Sequence, residues 1–284
     1  MPLARTSDLL AAAVADRRGL PAFNVITLEH AEAIAAGAEA AATPVVLQLS
    51  QNAVAHRGGR LLPIARACAE VAAAARVPVS LHLDHVEDVD LLRAAPAAGF
   101  SSAMFDASAL PHDENVKATA EATAWAHRHG LHVEAELGRV GGKDGEPPLG
   151  AHAPGARTDP DEAARYVAET GVDALAVAVG SSHAMTSRTA ALDHALIRAL
   201  AAAVPVPLVL HGSSGVPDDA LAEAVAAGMV KINIGTALNL AYTPAVRAHL
   251  AAHPRATDPR PGLAAARDAM TRTVEQLARV VAGR

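Results

Sequence analysis

The chain has 284 residues, 51% of them apolar, with a formal net charge of −6. That length suits one barrel-sized domain, expected to span residues 1–284, and supplies hydrocarbon for a single large core. The negative balance and the lack of any long run of like charge exclude the usual signature of a nucleic-acid or anionic-membrane partner.

At the N-terminus, Asp8, Asp16, Arg17 and Arg18 break the sequence before the apolar core of a signal peptide could develop. No later apolar run approaches the roughly 20 residues of a membrane span. Cys68 is the only cysteine, so an intrachain disulfide is impossible and a reducing, cytoplasmic setting is expected. Short β-branched and leucine-rich runs then alternate with longer amphipathic ones. The strand candidates are Ala22–Ile26, Val45–Ser50, Val79–Asp84, Ser102–Phe105, His132–Glu136, Ala174–Val179, Leu208–His211 and Val230–Ile234. Helix candidates lie between them, and a last one, Leu263–Val281, follows the Asp-Pro-Arg-Pro-Gly turn. Residues 138–158, rich in Gly and Pro, read as one long loop.

Eight βα units with short connections predict a parallel sheet with right-handed crossovers. The first strand is followed by Thr27-Leu28-Glu29-His30 and not by the Gly-x-Gly-x-x-Gly turn of an open dinucleotide-binding sheet. The expected fold class is therefore α/β, a (β/α)₈ TIM barrel with an extra C-terminal helix.

Barrel enzymes build their sites where strands end and βα loops begin. Here those positions carry Asp84 and His85, Glu134 and Glu136, His183, His211 with a Gly-Ser turn, and Asn233 ahead of Gly235-Thr236. His85, His183 and His211 approach one mouth from three strands. Three neutral imidazoles hold a zinc ion and leave a position open for a substrate oxygen. The glycine-rich turns after the seventh and eighth strands fall where barrels often bind phosphate through backbone N–H groups. His82, two residues before Asp84, reads equally as a residue behind the metal ligands or as a structural one.

The stretches PAFNV (21–25), LHLDH (81–85), VEAELGRVGG (133–142), AVAVGSSH (176–183), PLVLHGSSGVPDD (207–219), KINIGT (231–236) and DPR (258–260) resemble the class II fructose- and tagatose-bisphosphate aldolases, in family order. The resemblance implies one catalytic Zn²⁺ on His85, His183 and His211, with Glu136 close by as an alternate ligand, and Asp84 as the acid/base. It implies that Gly212, Ser214, Asn233, Gly235 and Thr236 hold the dihydroxyacetone phosphate half of a phosphorylated ketose, with Asn24 and Ser50 nearby. A monovalent cation, Na⁺ or K⁺, often accompanies that phosphate in the family. Arg260, with Arg267 as a second candidate, resembles the arginine that reaches a neighbouring subunit's site, which implies a homodimer or homotetramer. Leu263–Val281 reads either as an interface helix or as one that packs on its own barrel. Lys231 is the only lysine near a strand end, and zinc chemistry needs no Schiff base.

Two departures from the pattern bear on substrate. The loop acid, usually a glutamate after Gly-Gly, is matched in register by Asp144, with Glu146 two residues on. After His183 this chain has Ala184 and later Arg188, where the family usually has Gly and Lys. Cleavage of fructose or tagatose 1,6-bisphosphate is the leading expectation. The alternatives are a different phosphorylated ketose, a non-catalytic sugar-phosphate-binding barrel, or a metal-dependent hydrolase on the same fold.

Overall fold

The structure, a computed structural model, describes residues 3–138, 140 and 156–284. Eight parallel strands close into one barrel in sequence order: β1 (Leu20–Asn24), β2 (Val45–Ser50), β3 (Val79–Val86), β4 (Ser102–Phe105), β5 (His132–Leu137), β6 (Ala174–Val177), β7 (Leu208–Leu210) and β8 (Met229–Ile234). β8 pairs with β1, Ala22 beside Asn233, so no edge remains open. The strands read as near-continuous apolar runs because both faces are covered, by helices outside and by side chains within.

The outer layer comprises α1 (Thr6–Asp16), α2 (Leu28–Ala40), α3 (Gln51–His56), α4 (Leu61–Ala74), α5 (Val89–Ala98), α6 (His112–Arg128), α7 (Pro160–Thr170), α8 (His194–Ala203), α9 (Asp218–Ala227), α10 (Thr236–Ala252) and α11 (Arg260–Val281). Local chemistry sets several boundaries. Asp159 accepts the N–H groups of Asp161 and Glu162 and Pro160 opens α7, so side-chain capping and the fixed proline φ set where that helix starts. Gly99 ends α5 with φ 93°, a conformation that costs glycine little.

Two helices were not expected from the sequence. α1 lies under the barrel, where Leu9, Leu10 and Ala13 pack with Leu20, Ala22 and Val46 to close its floor. α3 is a short turn after β2, capped by Ser50 Oγ accepting from Ala53 N at 3.2 Å. The C-terminal helix packs one face on its own barrel. Met270, Val274, Leu277 and Val281 of α11 are buried in this chain's own core. Gly37 of α2 allows the close crossing, since a Cβ there would lie 2.6 Å from Val274 Cβ. Among the described residues, no helix is long and apolar enough to cross a membrane.

Candidate active site

A cavity of about 320 Å³ opens at the C-terminal mouth of the barrel. Its lining includes Asn24, Ser50, Asp84, His85, His183, Gly212, Ser214, Asn233, Gly235 and Thr236, ten of the residues expected from the sequence. His85, His183 and His211 offer ring nitrogens that all lie within 4.8 Å of one another.

Asp84 and His85 are neighbours on β3, and strict alternation would send their side chains to opposite faces. The register between β3 and β4 shifts between Leu83 and Val86, and His85 takes a left-handed backbone with φ 49°. That local distortion lets both side chains line the same cavity. His85 Nδ1 is held by Asp106 Oδ2 at 2.8 Å, and Asp106 Oδ1 is itself held by the Ser108 hydroxyl at 2.6 Å. Asp106 was not singled out from the sequence. Its position immediately after β4, a strand-end carboxylate, is the signal that marks it.

His211 is fully buried and stands between two carboxylates. Its Nε2 lies 2.9 Å from Glu134 Oε1, and its Nδ1 lies 3.0 Å from Glu136 Oε2. Burial opposes charging of this ring, but the hydrogen bonds to Glu134 and Glu136 outweigh it and push the pKa up to about 9. Burial likewise works to raise the carboxyl of Glu134, and the attraction of Lys231 and the hydrogen bond from His211 hold it well below the usual range. His82 is buried and bonded through Nδ1 to Ser102 Oγ at 2.8 Å. Burial and the nearby Lys231 ammonium push its pKa down to about 3, so this ring stays neutral.

Asp84 is 2% exposed, and the side-chain amide of Asn24 donates to its Oδ2 at 2.8 Å. Burial favours the protonated carboxyl, yet His85, Lys231 and His211 together lower its pKa, leaving a carboxylate at neutral pH. Among the described residues, Asp84 Oδ1 and both polar atoms of the Asn233 side chain find no hydrogen-bond partner. Buried groups of this kind are costly unless something else satisfies them.

On the opposite wall, Gly212 has φ 67°, and a Cβ there would lie 2.5 Å from the Ser182 carbonyl carbon. Ser213–Gly215 forms a 3-10 turn, and Ser214 Oγ accepts from Ala237 N at 3.0 Å. The turn is thereby fixed against the start of α10, where the first backbone N–H groups of a 17-residue helix favour an anion.

The remaining expected residues lie elsewhere. Asp144 falls outside the described residues, as does Glu146. Glu136 stands behind the cavity against His211. Arg260 is 87% exposed and chelated by Asp258, with Nη2 to Oδ2 at 2.6 Å, and Arg267 pairs with Glu32 at 3.0 Å. Neither arginine lines its own chain's cavity. Arg188 is bonded to the Val216 carbonyl and to Asp218.

The donor set suits zinc. Three imidazoles converge, and His85 and His211 are each held by buried carboxylates, the arrangement that orients histidine ligands; His211, charged without metal, would release its Nδ1 proton to bind one.

The fold is shared with known proteins. The YdjI aldolase from Escherichia coli K12 is similar with a TM-score of 0.84 and 31% identity, over 98% of this chain and 97% of that one. A protein from Coccidioides immitis assigned as a fructose-1,6-bisphosphate aldolase is similar with a TM-score of 0.85 and 29% identity, over 98% and 96%. The fructose-bisphosphate aldolase of Campylobacter jejuni shares the fold at 22% identity and a TM-score of 0.84, over 99% and 95%. The family profile described as class-II fructose-bisphosphate aldolase matches residues 4–283. Matched over nearly its whole length, the chain belongs to the class II fructose-bisphosphate aldolases, a family of lyases.

Proposed function

We propose that this enzyme catalyses the reversible, zinc-dependent cleavage of fructose or tagatose 1,6-bisphosphate to dihydroxyacetone phosphate and glyceraldehyde 3-phosphate. The observation that carries the reading is the convergence of His85, His183 and His211 on a cavity that Asp84 also lines. His85, His183 and His211 are the proposed ligands. Zinc, when bound, supplies a Lewis acid for the carbonyl and adjacent hydroxyl oxygens, stabilising the charge left when the C–C bond breaks.

The protein's own groups do the rest. The Asp84 carboxylate takes the proton from the hydroxyl whose collapse expels the aldehyde, and Asn24 keeps that carboxylate aimed at the substrate. The unsatisfied amide of Asn233 offers a donor and an acceptor to the three-carbon half. Backbone N–H groups of the Gly212–Gly215 turn and the start of α10 receive its phosphate, where a monovalent cation would add charge. In the cleavage direction the carbon left behind needs a proton, and Asp144 is the proposed donor. As a residue acting in a neighbouring subunit, Arg260 is the proposed contact for the distal phosphate, in a homodimer or homotetramer.

A second reading keeps the reaction and changes the aldehyde. Among the described residues lining the cavity there is no lysine or arginine, whereas Glu87 lines it. Such a wall favours an aldehyde without a second phosphate. The deciding experiment measures zinc content and kcat/KM for fructose and tagatose 1,6-bisphosphates and for the corresponding ketose 1-phosphates. A preference for either bisphosphate supports the first reading, and a preference for a 1-phosphate supports the second. No cleavage of any of the four with one zinc bound per chain would refute both.

A further inference from the structure

Lys231, a residue the proposed reaction does not use, sits at 0% exposure inside the barrel. Its Nζ lies 2.7 Å from Glu134 Oε2, spanning the interior from β8 to β5. The other oxygen of the same carboxylate accepts from His211 Nε2 at 2.9 Å. The small side chains Ala174, Ala176 and Val209 cluster on the two intervening strands and leave room for these long ones. Burying an ammonium and a carboxylate costs several kcal/mol each in desolvation, and a hydrocarbon pair of similar volume is often equally stable or more so. Core stability is therefore a poor account of this pair, whereas its third member, His211, is a proposed metal ligand.

We propose that Lys231 is a positioning residue for the metal centre, acting through Glu134. This rests on the reading of His85, His183 and His211 as zinc ligands. The ammonium fixes one carboxylate oxygen, so the Glu134 side chain has a single orientation and its other oxygen is aimed at His211. That oxygen needs an N–H on Nε2, which leaves Nδ1, 3.0 Å from Glu136 Oε2 here, as the nitrogen that would bind the ion. His82 closes the same space, with Nε2 3.9 Å from Glu134 Oε2. Its Nδ1 meets Ser102, whose hydroxyl donates to Thr6 Oγ1 at 2.7 Å, so the His82 ring is held from below by the α1 floor. Without the ammonium, Glu134 loses its anchor and the His211 ring loses its fixed direction.

The test measures the zinc dissociation constant by chelator competition in the full-length native chain, Lys231→Met, Glu134→Gln and the double variant, with thermal stability of each metal-free protein alongside. Loss of an outer partner of a metal ligand typically weakens binding by about 10–100-fold, and Lys231→Met and Glu134→Gln are each expected in that range. The double variant is expected to be no weaker than the weaker single, because the lysine acts through the glutamate. With zinc saturating, KM is expected within about threefold of native while kcat falls. A folded Lys231→Met with a native zinc dissociation constant and a lower melting temperature would reduce the pair to a structural role and overturn the proposal. Should Lys231→Met fail to fold, Lys231→Gln decides the question, since its shorter side chain cannot reach Glu134 from the same backbone. His183→Ala separates the two levels. If it binds zinc like the native chain, the metal-site reading itself falls; if it loses zinc while the Lys231 variants keep it, only the present proposal falls.

Discussion

Asp84→Asn is the sharpest perturbation of the proposed chemistry because it changes charge and proton affinity while keeping shape. The amide oxygen of the new side chain can accept the Asn24 N–H that Asp84 Oδ2 accepts at 2.8 Å. Its NH₂ then occupies the place of Oδ1, the oxygen with no partner among the described residues. The adjacent His85 remains anchored on Asp106, so zinc is expected to stay bound. Asp84 itself is 2% exposed, so no neighbouring carboxylate can swing in from solvent to its place. Positioned acid–base catalysis is worth about 10²–10⁴ in rate, which at ~1.36 kcal/mol per tenfold is about 2.7–5.4 kcal/mol of barrier. We expect kcat to fall by that factor with one zinc per chain retained. The assay follows dihydroxyacetone phosphate release in a coupled reaction, with metal content measured on the same sample. A kcat within tenfold of native in the zinc-loaded variant would refute the assignment of Asp84 as the base.

Gly212→Ala combines a left-handed backbone with a clash against Ser182, one residue before His183. It should cost about 1–3 kcal/mol from strain and lower kcat/KM as well; Gly171→Ala, at φ 66° in open space, should show the strain alone, and equal activity of the two variants would contradict the argument. His82 has a folded pKa of about 3, so between pH 6.5 and 3 only the unfolded chain takes up this proton and stability falls with pH. From pH 7.5 to 5.5 the His82 contribution is a loss of about 1.4 kcal/mol, which His82→Gln should lack in a denaturant titration of the metal-free proteins. Zinc at about 100 times its dissociation constant should stabilise the fold by about 2.7 kcal/mol, raising the melting temperature by several degrees. A chelator should reverse that gain and His183→Ala should abolish it, whereas a rise that survives His183→Ala would place the ion elsewhere.

The sequence by itself determined the architecture and much of the mouth. Period and length separated strands from helices because a parallel barrel buries both strand faces, and strand-end polar residues stood out against that apolar background. The strand-end rule likewise named the three histidines, Asp84 and the two glycine-rich turns. What it could not supply depended on contacts far apart in the chain. α1 carries a narrow apolar face whose use appears only when Leu9 and Leu10 meet Val46. From sequence α11 fits an interface or its own barrel equally, and the packing of Val274 against Gly37 of α2 shows that one face serves the barrel. The bulge that turns Asp84 and His85 into one cavity runs against strand alternation, so tertiary pairing with β4 decided it. The same holds for Asp106, Glu134 and Lys231, since a carboxylate or ammonium becomes a partner of a histidine only when the barrel closes. Local periodicity is set by neighbours in sequence and is therefore legible there. The directions of the His85 and His211 rings are set by carboxylates 21 and 77 residues away, and only the folded chain brings them within hydrogen-bonding distance.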